Sequence, residues 1–144
     1  MQQQFATLGV SPKLLDWWIC KLGDSKYGIM IMEDAGETLW RFIDLDDDQI
    51  TGLLDVLTLM VNQIHDEGFY HGDIAASNIT LKRTDHIGDG FYVTLPNGPY
   101  RIYLIDTELS GVASENPYEV HLDDMQVMNI KLEFSDYKYD LLNY

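Results

Sequence analysis

Two hydrophobic periods alternate along this chain, and the changes between them mark its elements. Residues 11–22, SPKLLDWWICKL, and 27–34, YGIMIMED, are rich in apolar and aromatic side chains and flank the turn GDSK, which predicts an antiparallel hairpin. AGETLWRFID, residues 35–44, follows with a glycine-containing bend and predicts a short helix. From Ile50 the period lengthens. Ile50, Leu53, Leu54, Leu57, Met60, Val61 and Ile64 recur at three- and four-residue steps, the buried stripe of a long helix. The acidic stretch Asp44 to Asp48 lies where it complements the dipole of that helix, and Gly68 is placed to end it.

Beyond the helix, NITLKR (78–83) and YRIYLID (100–106) read as strands. The segment between them, TDHIGDGFYVTLPNGP, has the turn chemistry of an extended hairpin. TELSGVASENP reads as a loop, and YEVHLDDMQVMNIKLEF (118–134) as a closing helix with its apolar face at Val120, Met125, Met128 and Leu132. Val127 and Ile130 blur that face. The tail SDYKYDLLNY reads as a short helix or a loosely packed end, and its tyrosines, Tyr137 to Tyr144, are given no function.

Composition narrows the picture. A length of 144 residues is one domain, and 46% hydrophobic with 12% aromatic residues predicts a folded core. The formal net charge of −15 disfavours nucleic-acid backbones and anionic membranes as direct partners. Cys20 is the lone cysteine, which excludes an intramolecular disulfide and a cysteine-rich zinc site. With neither a signal-like N-terminus nor an apolar run of membrane-spanning length, the expected setting is intracellular and soluble. His65 and His86 have no zinc-site spacing and read as a helix-end and a loop residue. Trp17, Trp18 and Trp40 read as core or lobe-facing packing.

The chemistry concentrates in FYHGDIAASNITL, residues 69–81. Asp73 and Asn78 share one loop, and Asp106 ends the later strand YLID. Phosphoryl transfer needs a carboxylate near the acceptor hydroxyl and oxygen ligands that hold magnesium against nucleotide phosphates. These three side chains supply both.

HGDIAASN resembles the catalytic loop of the protein-kinase-like superfamily, and LIDTEL stands where that family has Asp-Phe-Gly. IMIMEDAGETL is similar to the last small-lobe strand entering the hinge, and LGVSPKLLDWWI to the segment leaving the regulatory helix. The resemblance covers roughly residues 8–110 and, more loosely, the helix after 118. It implies a minimal α+β kinase-like fold within 1–144, with 1–34 a small-lobe remnant and 35–144 the truncated helical large lobe and its catalytic-loop hairpin. It also implies ATP and Mg2+ as cofactors. Asp73 matches the catalytic Asp that accepts the acceptor hydroxyl's proton, and Asn78 and Asp106 match the two magnesium ligands. Met32 matches the gatekeeper, with the backbone of Glu33 to Ala35 meeting adenine. His71 matches a buried structural histidine, and Asp123 or Asp124 the helix Asp that bonds the catalytic-loop backbone.

The departures from the pattern shape the functional expectation. Gly72 replaces the Arg that reads a phosphorylated activation loop, so regulation of that kind is not expected. Ala75 stands where many Ser/Thr kinases have a phosphate-contacting Lys. Without Phe after Asp106, the usual aromatic partner of His71 is missing. His-Gly-Asp and Asp-Thr-Glu resemble the atypical branch, which includes aminoglycoside and lipopolysaccharide-sugar kinases and the small kinase of tRNA threonylcarbamoylation. No glycine-rich loop or strand Lys with its Glu partner precedes SPKLL. Three readings follow. The first is an ATP- and magnesium-dependent phosphotransferase acting on a Ser/Thr hydroxyl of a protein. The second is a pseudokinase or decoy that binds a partner kinase or regulator, with a second chain completing the small lobe. The third is a small-molecule kinase.

Overall fold

The computed structural model of the chain describes residues 1–42 and 44–142, the last six of these as backbone alone. It opens with a six-residue helix, α1 (Gln2–Thr7), which the hydrophobic pattern does not announce. Phe5 and Val10 anchor this segment in the core, and Leu104 donates its N–H to the Val10 carbonyl. β1 (Leu14–Leu22) and β2 (Ser25–Met32) then form the expected antiparallel hairpin. Its turn needs only Gly23 and Asp24, with Gly23 at φ 61°, the left-handed conformation of a tight two-residue loop. The hairpin is a sheet of its own. Trp17 and Trp18 are therefore exposed rather than in the core, because no other element lies over them. Trp40 does pack, stacked on Phe134 with ring centroids 6.1 Å apart.

Of the short helix expected over 35–44, the described residues form one 3-10 turn, Leu39–Arg41. Gly36, at φ 82°, presses so closely on β5 (Ile79–Arg83) that a Cβ there would stand 2.2 Å from the Leu81 carbonyl oxygen. That approach keeps the backbone extended as β3 (Glu37–Thr38), paired with β5, before one 3-10 turn at Leu39–Arg41. The long helix α2 (Asp47–Asp66) is as the pattern predicts, with Ile50, Leu53, Leu57, Met60, Val61 and Ile64 buried. Asp46 caps it by accepting from the Gln49 N–H while the Gln49 side chain accepts from the Asp46 N–H, a reciprocal capping box. Gly68, at φ 88°, follows its end.

β4 (Phe69–Tyr70) leads into the polar loop. The expected hairpin is realised as three strands, because β6 (Tyr92–Leu95) turns through Pro96 and Asn97 into β7 (Gly98–Leu104), which pairs with β5. The four-stranded sheet runs β3-β5-β7-β6. Its inner side chains, Ile79, Leu81, Val93, Leu95, Ile102 and Leu104, join the α2 stripe in one core. The loop after Asp106 contains a short strand, β8 (Gly111–Val112), paired with β4.

The closing helix α3 (Pro117–Leu142) continues through most of the tail, while Asn143 and Tyr144 lie outside the described residues. Its buried face is the reverse of the one expected. Asp123, Val127, Ile130 and Phe134 point inward, and Met125, Met128 and Leu132 are exposed. Apolar residues occupy both sides of the helix, so periodicity alone could not choose between them.

Candidate active site

The end of β4 delivers His71, Gly72 and Asp73 to a buried carboxylate. Asp123, fully buried on α3, accepts from the His71 N–H at 2.7 Å through Oδ2 and from the Gly72 N–H at 2.8 Å through Oδ1. His65, in the last turn of α2, donates from Nε2 to the same Oδ2 at 3.0 Å. One turn along α3, Gln126 Oε1 accepts from the Ile74 N–H at 2.9 Å. Three backbone N–H groups of the loop, those of His71, Gly72 and Ile74, are thus tied to one helix. Asp124, exposed, makes no contact with the loop backbone, which decides the choice left open by the sequence.

His71 ties the loop to the strand that carries Asp106. Its Nδ1 accepts from the Asp73 N–H at 3.2 Å, so Nε2 carries the proton and donates to the Ile105 carbonyl at 2.9 Å. The Ile105 N–H in turn donates to the Asn78 carbonyl at 2.9 Å. Both backbone groups of Ile105 are therefore spent on the loop, and Asp106 is carried next to it. The aromatic missing after Asp106 is replaced from elsewhere. Phe5 of α1 stacks on the His71 ring at 6.1 Å and 20° and meets Phe69 edge-on.

Burial pushes the His71 imidazole below its ordinary 6.5, outweighing its bond to Ile105 and the carboxylates of Asp123, Asp73 and Asp106, which pull the other way. The unfolded chain takes up this proton near 6.5 and the native state does not. The stability that neutral His71 contributes is complete above 6.5 and is lost as pH falls from there toward the lowered native value. Urea denaturation at about pH 7.5 and about pH 5.5 is expected to show a larger loss in wild type than in His71→Gln. Equal losses would remove His71 as the cause.

Asn78 Nδ2 donates to the Asp73 carbonyl at 2.9 Å and to Asp73 Oδ2 at 3.0 Å. Both amide hydrogens are thereby used, which orients Asp73 and leaves Asn78 Oδ1 as the free ligand atom. Asp106 stands at φ 59°, the single non-glycine positive φ among the described residues. Such a conformation costs about 1–3 kcal/mol and is found at sites where side-chain direction matters. Asp106 lines a cavity of about 400 Å³ with Gln2, Met30, Met32, Thr107 and Glu108. Met32 thus shares a cavity with the metal-ligand candidate.

Glu33 extends the hairpin, its N–H donating to the Lys13 carbonyl and its Oε1 accepting from the Lys13 N–H and the Tyr103 hydroxyl. Burial pushes the Tyr103 phenol up, which keeps it a neutral donor. Ala35 is half-buried between Asp34, whose carbonyl accepts from Lys82 Nζ, and Gly36. Among the described residues no hydrogen bond engages the Glu33 carbonyl or the Ala35 N–H.

Gly72 has a steric reason to be glycine. At φ 92°, a Cβ on it would lie 2.4 Å from the Leu109 carbonyl oxygen. The space that an Arg side chain would enter is filled by the short segment after Asp106. Gly72→Arg is expected to destabilise by about 2 kcal/mol or more and to expose the Leu109 and Ser110 amides to hydrogen exchange. Wild-type stability and protection in that variant would contradict the packing argument.

The chain matches no family model and no curated protein. Among solved structures it matches the kinase PK-1 of Cydia pomonella granulovirus, with a TM-score of 0.53 and 16% identity over 77% of this chain. The fold is kinase-like. At that identity the likeness concerns the fold alone, and the match spans 38% of the length of the viral kinase. Within this kinase-like frame Asn78 is bonded to Asp73, Ile105 beside Asp106 is bonded to Asn78, and Met32 and Asp106 line one cavity that neither Asp73 nor Asn78 lines. Phe5 and Gln126 are positioning residues that the sequence reading did not single out, and His65, read there as a helix-end residue, is a third.

No helix among the described residues is long and apolar enough to cross a membrane. No group of three or more His, Cys, Asp or Glu side chains among them could form a metal cage. Asn78 Oδ1 and the Asp106 carboxylate are hard oxygen donors of the kind magnesium takes, and magnesium commonly completes its shell with phosphate oxygens and water. The donor set fits the ion.

Proposed function

We propose that this chain is an ATP- and magnesium-dependent phosphotransferase acting on a Ser/Thr hydroxyl of a protein. The observation that carries this reading is the double bond from the Asn78 amide to Asp73, beside an Asp106 held in a strained conformation at the edge of the cavity. Asp73, oriented by Asn78, accepts the acceptor hydroxyl's proton. Asn78 Oδ1 and Asp106 hold magnesium, which when bound neutralises charge on the transferring phosphates. Adenine meets the free Glu33 carbonyl and Ala35 N–H, with Met32 behind it. Because the transition state of phosphoryl transfer is loose, positioning and charge neutralisation carry most of the catalysis. Asp73 is half-buried and does not line the Asp106 cavity, so the acceptor reaches it from outside that cavity, as a hydroxyl on a protein surface can.

A second reading, a pseudokinase that binds a partner, is favoured by the uncovered hairpin over residues 14–32. Residues 1–34 then act as a small-lobe remnant for another chain to complete, and 35–144 as the large-lobe part. Calorimetric titration of ATP with and without magnesium, on wild type and Asp106→Asn, separates the two. Magnesium-dependent binding that disappears in Asp106→Asn is expected. No binding by folded wild type would overturn the catalytic reading in favour of the partner-binding one.

A further inference from the structure

The segment that enters α2 meets the turn between β6 and β7 around a cavity of about 450 Å³, which the proposed phosphotransfer does not use. Leu45, Leu95 and Tyr100 line it as buried residues, and Asp44, Asp46 and Asn97 as exposed ones. Phe42 lines it too and meets the Tyr100 ring edge-on, with centroids 5.6 Å apart. Tyr100 and Leu104, which leads to Asp106, are four residues apart on β7, roughly 14 Å.

Two observations point to what this cavity takes. The first is the Tyr100 hydroxyl. Tyr100 is only 7% exposed, and its hydroxyl has no hydrogen-bond partner among the described residues. Nor is that oxygen sealed from solvent, since the sealed and unpartnered side-chain atoms are Thr80 Oγ1 and Arg101 Nε. It therefore opens onto the space that its ring lines. The second observation is charge. Asp44 lies two residues before the Asp46 cap and outside the first turn of α2, so the helix dipole does not account for it. Asp46 gives Oδ1 to the Gln49 N–H and keeps Oδ2. Neither carboxylate enters an ion pair among the described residues, and no Lys or Arg lines the cavity. A neighbouring cavity that shares Phe42 and Tyr100 has Lys82 and Arg83 in its lining, and so supplies cations of its own.

An anion drawn to the start of α2 would meet both carboxylates and be repelled. A cation on an apolar stem suits the lining, with its stem on Leu45 and Leu95 and its head among rings and carboxylates. Among side chains arginine matches best. Its guanidinium is planar, is attracted to aromatic rings, and carries several donors for Asp44, Asp46, the Asn97 amide oxygen and the Tyr100 hydroxyl. The exposed rim lets a chain remain outside while one side chain enters.

We propose that this cavity binds an arginine side chain of a partner protein through Asp44, Asp46 and Tyr100. It is separate from the Asp106 cavity, so the proposal holds whether or not the chain transfers phosphate.

The experiment is a nuclear magnetic resonance titration of the whole chain with a short capped peptide carrying one arginine. The comparison ligands are the same peptide with citrulline, which keeps the shape without the charge, the same peptide with lysine, and agmatine, a free guanidine. Amide shifts centred on Leu45, Asn97 and Tyr100 are expected, with affinity falling as salt is added. Citrulline should weaken binding about tenfold or more, as charge-assisted hydrogen bonds are lost. Asp44→Asn and Tyr100→Phe should each weaken arginine binding about three- to tenfold. Both should melt as wild type does, because neither removed group has a partner in the fold. Equal binding of the citrulline peptide, shifts away from the cavity, indifference to both substitutions, or no binding at millimolar peptide would each overturn the proposal. Tighter binding of the lysine peptide would overturn the choice of guanidinium, and tighter binding of agmatine the choice of a partner protein. Should a variant unfold, the citrulline comparison on wild type still decides.

Discussion

Asp123→Ala is expected to remove a large part of the stability of this domain. The carboxylate is fully buried and accepts three hydrogen bonds, from the His71 and Gly72 N–H groups and from His65 Nε2. Alanine leaves two backbone donors and an imidazole without their acceptor, the His71 N–H fully buried and the other two partly so. Each stranded donor costs about 1–3 kcal/mol, so a loss of roughly 3–5 kcal/mol follows. That is a large part of the ~5–15 kcal/mol that holds a typical domain together. Chemical denaturation with a far-UV signal measures it. A smaller loss is expected for Asp123→Asn, whose amide keeps one acceptor oxygen but faces the loop with its NH2. Asp124→Ala, on the exposed neighbour, should change little. If the two alanine variants were equally stable, Asp123 would not be the residue that holds the loop.

The opposite signature is expected at Asp73. Asp73→Ala should abolish phosphate transfer while leaving the fold intact. Its side chain is half-buried, and its carboxylate has one partner, Asn78, which is also held by the Asp73 carbonyl. Truncation removes the proton acceptor and one of the two acceptors of the buried Asn78 amide, a loss of about 1 kcal/mol, while the Asp73 carbonyl keeps the other bond. In single-turnover transfer to a protein acceptor, the loss should be about a hundredfold or more, the contribution typical of a general base. Melting temperature and magnesium-dependent ATP binding should stay near wild type. Transfer that survives the substitution would refute the assignment of Asp73, and a collapse in stability would recast it as structural.

The polar loop was legible because its two polar side chains are close in the chain. Asp73 and Asn78 are five residues apart, so one loop conformation sets their relation, and the motif is visible without knowing what surrounds it. The long helix was legible for the same reason: its apolar stripe and its acidic start act within single turns. The first helix was not, since six residues are too few for periodicity to speak. Residues 35–38 misled because their local composition suits a helix, while pairing of Glu37 and Thr38 with β5, beside the close approach of Gly36, requires extended backbone. On α3 both faces are apolar, and the sequence pattern favoured Met125, Met128 and Leu132 over the side that is in fact buried. The tryptophans of the hairpin show the converse limit. Their chemistry announces burial, but burial needs a covering surface, and the chain puts none over them.

By itself, then, the sequence determined the hairpin, the long capped helix, the polar loop with Asp73 and Asn78, and the strand ending in Asp106. These depend on turn chemistry, periodicity and capping, which act over a few residues. Only the tertiary structure decided that Asp123 rather than Asp124 grips the loop and that Phe5 supplies the ring against His71. It alone showed that Leu109 excludes any side chain at Gly72 and that Asp106 turns left-handed at the cavity. Each of these depends on which groups from distant parts of the chain compete for one small volume. That competition is settled by packing and desolvation, which a linear pattern does not record.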